Sequence, residues 1–253
     1  VEEIFGAGSL ELFRSGDADE DRVEGERVKQ LIAEKVAFEE LDATTRVALF
    51  GEKAWPFPIP LVKSGERWRF DTSAGREELL NRRIGYNELA TLSTLHAYVD
   101  AQFEYFGQGR DGNRPAFARK FRSSEGRQDG LYWEVAEGEE LSPLGDLLAG
   151  AAVVDASEPA PYQGYYFRIL TRQGENAPGG ARDYLDAKGL MTTGFAAIAW
   201  PAKYGNSGVM TFLINQRDMV FQKDLGPETE QLAAAIESFD PDPTWEPTGD
   251  SLD

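Results

Sequence analysis

The chain reads as an α+β protein, and three observations carry that reading. Apolar residues from Arg76 to Phe106 recur at helical spacing, which predicts one long helix or two in tandem. A shorter amphipathic stretch precedes it, followed by short β-rich runs rich in proline and aromatics. Beyond residue 161, four β-rich runs follow one another with turn-forming residues between them. The expected architecture is a small N-terminal α+β unit over residues 1–70, then a long helix packed on an antiparallel β-meander over residues 71–240. A helix closes that second part, and an acidic tail covers residues 241–253.

In the first unit, "DRVEGERVKQLIAEKVAFEEL" sets Val28, Leu31, Ile32, Lys35 and Phe38 three or four residues apart, as an amphipathic helix does. "TRVALF", "FPIPLVKSG" and "RWRFD" read as strands, with "KSGE" as a hairpin turn. Pro56, Pro58 and Pro60 delete ladder donors at alternate positions, which places them on a sheet edge or in an extended link.

The long helix is expected to start under a Thr72 or Ser73 cap, with Glu77 and Glu78 near its positive end. Leu80, Ile84, Leu92, Leu95, Val99, Phe103 and Phe106 keep its apolar spacing, and Gly107 and Gly109 stop it. Gly85 is the expected kink, since glycine inside a helix costs about 1 kcal/mol relative to alanine. The following stretch is irregular, apart from a short helix expected at "SPLGDLLAGAA". Then "GYYFRILT", "MTTGFAAIAWPA", "GVMTFLINQ" and "DMVFQKDL" read as the strands of the meander. Gly226 and Pro227 open the last helix, with Leu232, Ile236 and Phe239 turned inward. The tail "DPDPTWEPTGDSLD" is expected to be poorly ordered, with Trp245 as its one anchor.

Composition limits the function classes. The formal net charge is −18, from 44 acidic and 26 basic side chains. A surface that negative repels phosphate backbones, which argues against nucleic acid and anionic membranes as partners. No apolar run approaches the ~20 residues of a membrane helix. There are 0 cysteines, which excludes disulfides, thiolate metal sites and a thiol nucleophile.

The chemistry-bearing residues are sparse. His96 is the single histidine, too few for a two-histidine metal site, and it reads as a helix residue at a core margin. "GDADEDRVEGE" spaces Asp17, Asp19, Asp21 and Glu24 as calcium loops do. Arg22 occupies the glycine place and Val28 the closing glutamate place, so it reads as a solvated acidic loop. The turns at Asp111–Asn113 and at Asp129–Gly130 carry too few carboxylates for an ion, and no metal or cofactor is implied anywhere. "YGNSGVM" holds Ser207 among glycines without forming a nucleophile elbow.

Arg82, Arg83, Tyr86, Asn87 and Glu88 make a polar cluster on the long helix, stacked on adjacent turns. Such a cluster can grip a carboxylate, or it can tie the helix to the first unit. With His96, the residues Arg82, Arg83, Tyr86 and Glu88 are the candidate lining of a ligand cleft between the N-terminal unit and the long helix. Tyr162, Tyr165, Tyr166 and Phe167 alternate over both faces of a strand, and their exposed members are a candidate platform for carbohydrate or peptide.

Several motifs taken in order carry a resemblance. "RWRFDTSAGREELLNRRIGYNEL", "AYVDAQFEYF", "QDGLYW", "SPLGDL", "PYQGYYFRILTRQGENAPGGARDY", "GFAAIAWPAKYGNSGVMTF" and "QKDLGP" resemble the bacterial family called domain of unknown function 2950. The likeness runs from about Leu61 to Phe239 and is looser before that. It implies an exported protein whose leader has been removed, in line with a chain that starts at Val1, and hence a periplasmic or secreted location. It brings no activity and no catalytic residue. Where the family tends to carry more acidic residues ahead of its Asp-Gly pair, this chain has Gly107, Gln108 and Gly109. The order of long helix, loop-rich crossover and meander is also similar to the globular part of type IV pilins and type II pseudopilins, although a whole segment precedes the helix here. The expected function is a non-catalytic cell-envelope protein that binds a protein partner or self-assembles. The alternative is an enzyme or small-ligand binder using the cleft.

Overall fold

The computed structural model of the chain describes residues 5, 9, 13–14, 18–108, 114–135, 141–145 and 161–249. Its contacts divide into two units, Val1–Tyr86 and Asn87–Asp253. The fold is α+β, as expected, with antiparallel sheets, a long helix and a C-terminal helix.

The first unit holds helix α1 (Ala18–Glu34) and strands β1 (Val36–Glu40), β2 (Thr45–Phe50), β3 (Trp55–Pro56), β4 (Leu61–Ser64) and β5 (Arg67–Phe70). The sheet order is β1-β2-β4-β5, with β3 also on β2. Ala48, Phe50, Phe57 and Ile59 are buried at its core, and Phe5, Phe13, Trp55 and Phe70 pack around them. Ring centroids there lie between 4.8 Å (Phe5–Phe70) and 6.3 Å (Phe50–Trp55), the spacing of favourable aromatic pairs. Pro56 lies on the short β3, while Pro58 and Pro60 lie in the link that follows.

Two expectations fail in this unit. Helix α1 ends at Glu34, and Phe38 belongs to β1, whose five residues pair with β2 from Val36↔Phe50 to Glu40↔Arg46. In "KVAFEE" the apolar residues alternate as well as recur at helical spacing, and cross-strand pairing with "TRVALF" decides between the two periods. Asp19, Asp21 and Glu24 lie on α1 and form no loop, while Asp17 is outside the described residues. Pairs one turn apart, Glu24–Arg27 at 3.0 Å and Glu26–Lys29 at 2.6 Å, tie this charge along the helix surface.

Helix α2 (Thr72–Gln108) runs unbroken for 37 residues, from the first unit into the second. Its cap is Asp71, whose Oδ1 accepts the Ala74 amide at 3.2 Å; Thr72 and Ser73 are already helical. Gly85 does not break it: α2 is continuous through that position.

In the second unit, β6 (Tyr165–Leu170), β9 (Ala196–Pro201), β10 (Met210–Asn215) and β11 (Phe221–Asp224) form the expected meander, in the order β11-β10-β9-β6. The glycine-rich loop after β6 holds a two-residue hairpin of its own, β7 (Arg172–Gln173) with β8 (Arg182–Asp183). On the face toward α2, Phe167 and Phe212 flank Ala199 in register. The small Ala197 and Ala199 let the helix approach, and Leu95, Tyr98, Ala101 and Gln102 are buried against the sheet. Burying a large apolar side chain contributes roughly 1.5–3 kcal/mol, so this face dominates the stability of the unit.

The second face is covered too. Arg168 on β6 donates to the carbonyls of Ala233 (2.8 Å), Ala234 (3.1 Å) and Ile236 at the end of helix α3 (Thr229–Ala235), and its guanidinium lies 5.6 Å from the Trp200 ring centroid. Orphan carbonyls at a helix end are natural partners for a guanidinium. Helix α3 is shorter than expected. It turns Thr229 and Ala233 inward and leaves Leu232 exposed, and Phe239 is buried beyond its end beside β7. The tail is ordered through residue 249: β12 (Glu246–Pro247) adds a fifth strand on β11, and Trp245 is buried. Most of the helix expected at "SPLGDLLAGAA" lies outside the described residues.

Candidate functional site

A buried polar junction of the second unit forms where α2 meets the β9–β10 turn. Glu88 Oε1 accepts the backbone amides of Val209 at 2.9 Å and Met210 at 3.0 Å, and the Tyr165 hydroxyl lies 3.4 Å away. That hydroxyl also reaches the Met210 carbonyl at 3.0 Å. One turn-facing neighbour along, Asn87 is fully buried and donates from Nδ2 to the Ser207 carbonyl at 2.9 Å. Burial first, and then the Glu88 carboxylate, push the Tyr165 phenol far above its ordinary pKa and keep it neutral.

Two glycines make this approach feasible. A Cβ on Gly164 would sit 2.4 Å from Asn87 Nδ2, and one on Gly208 would sit 2.0 Å from the Tyr165 hydroxyl. Gly164 also adopts a positive φ of 75°, which leads the chain into β6. Ser207 is buried, with its Oγ exchanging hydrogen bonds with the backbone of Lys203, a turn clasp and not a nucleophile with a base.

The candidate residues Arg82, Arg83, Glu88 and His96 have separate partners. In the first unit, Arg82 donates to Glu78 (2.7 Å) and to the Pro56 carbonyl (2.7 Å) and lies over Trp55, while Arg83 donates to the Arg14 carbonyl at 2.9 Å. Tyr86 is exposed. In the second unit, Glu88 is held as described, and His96 Nδ1 lies 2.7 Å from Asp218 Oδ1. The structure therefore brings Glu88 together with Asn87 and Tyr165, and His96 together with Asp218.

Asp218 was not legible as a partner from spacing, being 122 positions from His96. Its signal is local: it occupies the left-handed region at φ 58° in the tight turn after β10, a place where Asp is among the tolerated residues. The His96 Nε2 atom is buried without a hydrogen-bond partner among the described residues, so the ring is held from one side only.

The expected turn at Asp129–Gly130 is held by its own neighbours. Burial would raise the Asp129 carboxyl, but the Ser124 amide at 2.7 Å and the Lys120 ammonium at 3.0 Å outweigh it and hold it below the usual range. Residues Asp111–Asn113 lie outside the described residues. A shallow depression of about 560 Å³ is lined by Phe106, Arg114, Asp186, Lys188 and Thr192. Asp186 is already committed there, accepting the Lys188 and Leu190 amides and pairing with Arg114 at 2.7 Å. Among the described residues, no three His, Asp or Glu side chains converge to hold a metal ion.

The aromatic cluster of β6 resolves by face. Tyr165 and Phe167 are buried toward α2, and Tyr166 packs on Trp200 with centroids 5.7 Å apart.

No curated protein and no solved structure matches the chain. Residues 1–248 match the family described as "Protein of unknown function (DUF2950)". The match spans nearly the whole chain, first unit included, and the chain belongs to the DUF2950 family.

Proposed function

We propose that the protein is a non-catalytic binding or assembly protein of the bacterial cell envelope. One contrast carries the reading: the polar groups that chemistry would need are committed internally, while large apolar groups face water. Glu88 spends its Oε1 on two backbone amides, and Arg82 and Arg83 hold backbone carbonyls of their own unit. Meanwhile Leu89 is 67% exposed and Phe103 50% exposed on α2, with Met219 exposed in the turn after β10. Exposed apolar side chains beside a committed polar interior suit contact with another macromolecule better than turnover of a small substrate.

An architectural likeness supports the assembly part. The chain order of a long helix and an antiparallel meander is like that of type IV pilin and pseudopilin globular domains, an analogy of architecture alone. Among the described residues no helix is long and apolar enough to cross a membrane. Fractionation of the native producing cells tests the location: recovery in the periplasm or medium is expected, and recovery in the cytoplasm overturns it. Purification from native envelopes under mild cross-linking tests the binding role, with a stoichiometric protein partner or self-multimer as the expected product.

A further inference from the structure

We propose that β1 is a self-pairing edge, joining antiparallel to β1 of a second copy of this chain about a two-fold axis at Phe38. This rests on the assembly reading above and supplies it with a surface. Cell fractionation tests the compartment and the measurements below test the pairing, so either can fail alone.

Among the described residues the outer side of β1 is unpaired. Gly51 donates to the Lys35 carbonyl and Leu41 donates to the Thr45 carbonyl, which makes 35↔51 and 41↔45 hydrogen-bonded pairs. By alternation, 37 and 39 also bond inward to β2, and the N–H and C=O groups of Val36, Phe38 and Glu40 point out from the edge. Natural edges are blunted by charged side chains, lysine above all, by proline, by a bulge or by shortness. β1 has no lysine, proline or bulge, and its only charges are Glu39 and Glu40 at one end, whereas the opposite edge strand, β5, carries the exposed Arg67 and Arg69 along its length. On the face shared with the buried Ala48 and Phe50, β1 leaves Val36 45% and Phe38 55% exposed. The core face therefore runs out to a strand that does not finish covering it.

The sequence of the strand selects the occupant. Outward residues must meet outward residues, so only every second register is open. Centring on Phe38 sets Phe38 against its copy, Val36 against Glu40 and Ala37 against Glu39, with no like charges opposite. Moving the centre by one residue to Glu39 opposes two Glu39 carboxylates and Phe38 with Glu40. Moving it the other way, to Ala37, leaves Glu40 beyond the pairing and breaks the Phe38 pair. Within each copy Glu40 is neutralised by its ion pair with Arg46, which lowers the cost of bringing two acidic strands together. The result is an isologous contact that makes the two five-stranded sheets continuous.

The chain has 0 cysteines, so single introduced thiols report geometry directly. In the pairing, position 38 faces itself at a Cα spacing of about 5.5 Å, within the roughly 4.4–6.8 Å that a disulfide spans. Position 39 meets its copy only diagonally, at about 7–8 Å. Full-length Phe38→Cys is expected to form a covalent dimer at least about tenfold faster than Glu39→Cys under mild oxidation. A mixture of Val36→Cys and Glu40→Cys, which keeps Phe38, should yield the mixed dimer in excess over either homodimer. Sedimentation of the wild type should show a concentration-dependent dimer, and Phe38→Pro, which removes an outward donor and no inward one, should shift it to monomer. Equal cross-linking at 38 and 39, a dimer indifferent to Phe38→Pro, or a monomer at all concentrations overturns the proposal. The last result would also be that of an edge taken by an extended segment of some other protein.

Discussion

Glu88 Oε1 lies 3.0 Å from the Met210 amide and 2.9 Å from that of Val209, so one side chain of α2 accepts the first amide of β10 and the one just before it. This contact joins two elements 122 positions apart and fixes where the meander sits on the helix.

Glu88→Ala leaves those amides unsatisfied, and the expected loss is on the order of 2–3 kcal/mol by the cost of unpaired buried donors and charge-assisted bonds. Glu88→Gln keeps an acceptor oxygen and should lose less than half as much. Urea unfolding of the second unit's tryptophan signal measures both. Equal losses would mean that the charge, and not the acceptor geometry, does the holding.

Gly208 leaves room for the Tyr165 ring, since a Cβ there would stand 2.0 Å from the hydroxyl and 2.4 Å from Cζ. Gly208→Ala is therefore expected to destabilise by roughly 2–4 kcal/mol, the range of severe overpacking. Tyr165→Phe removes only the hydroxyl, so the double variant should recover part of the loss. A double-mutant cycle with strictly additive effects would remove Tyr165 as the obstacle.

Gly85 offers the opposite case. It lies inside α2, its φ is not in the left-handed region, and a Cβ there would meet nothing within 4 Å. Gly85→Ala should stabilise the protein by up to about 1 kcal/mol, the helix-propensity difference. Thermal unfolding followed by circular dichroism should show the midpoint rise; a fall would mean that the helix needs glycine there.

Alkaline pH should unfold the second unit. Burial raises the phenols of Tyr98 and Tyr165 far above their ordinary value of 10.0 and pushes Tyr184 up to about 12. With the folded value above the unfolded one, the folded state binds more protons above pH 10. The contribution of these groups is then fully present below pH 10 and lost as pH rises toward the folded values. For the fully buried Tyr98 and Tyr165 the slope approaches about 1.4 kcal/mol per pH unit each. Phenolate absorbance should show some of the nine tyrosines titrating near their ordinary value and a late group appearing only with unfolding. Smooth titration of all of them without loss of structure would contradict this burial.

Where one period dominated, the fold was legible. Leu95 and Val99 keep a helical stripe, and "GFAAIAW" and "VMTFLIN" are too continuous in apolar residues to be anything but interior strands. Where two periods overlapped, as at Phe38, local spacing chose the helix and strand pairing overruled it. Trp245 was legible as an anchor, but the strand it leads into was not, because Pro247 and the acidic residues around it disfavour strands until β11 offers a free edge. At the polar junction, Asn87 and Glu88 stood out for their type, whereas Gly164, Tyr165 and Gly208 showed only the usual marks of a strand and its turns.

By itself the sequence determined the α+β class, the long helix, the order of the meander and membership of a family. Those depend on short-range periodicity and on motif order, which survive without coordinates. The tertiary structure alone decided which polar side chains are occupied: that Glu88 serves two backbone amides, that His96 meets Asp218, and that Arg168 closes α3. It also decided which apolar side chains stay in water. Both depend on partners more than 60 positions away in the chain, and the distance between such residues is set by packing, which no local spacing encodes.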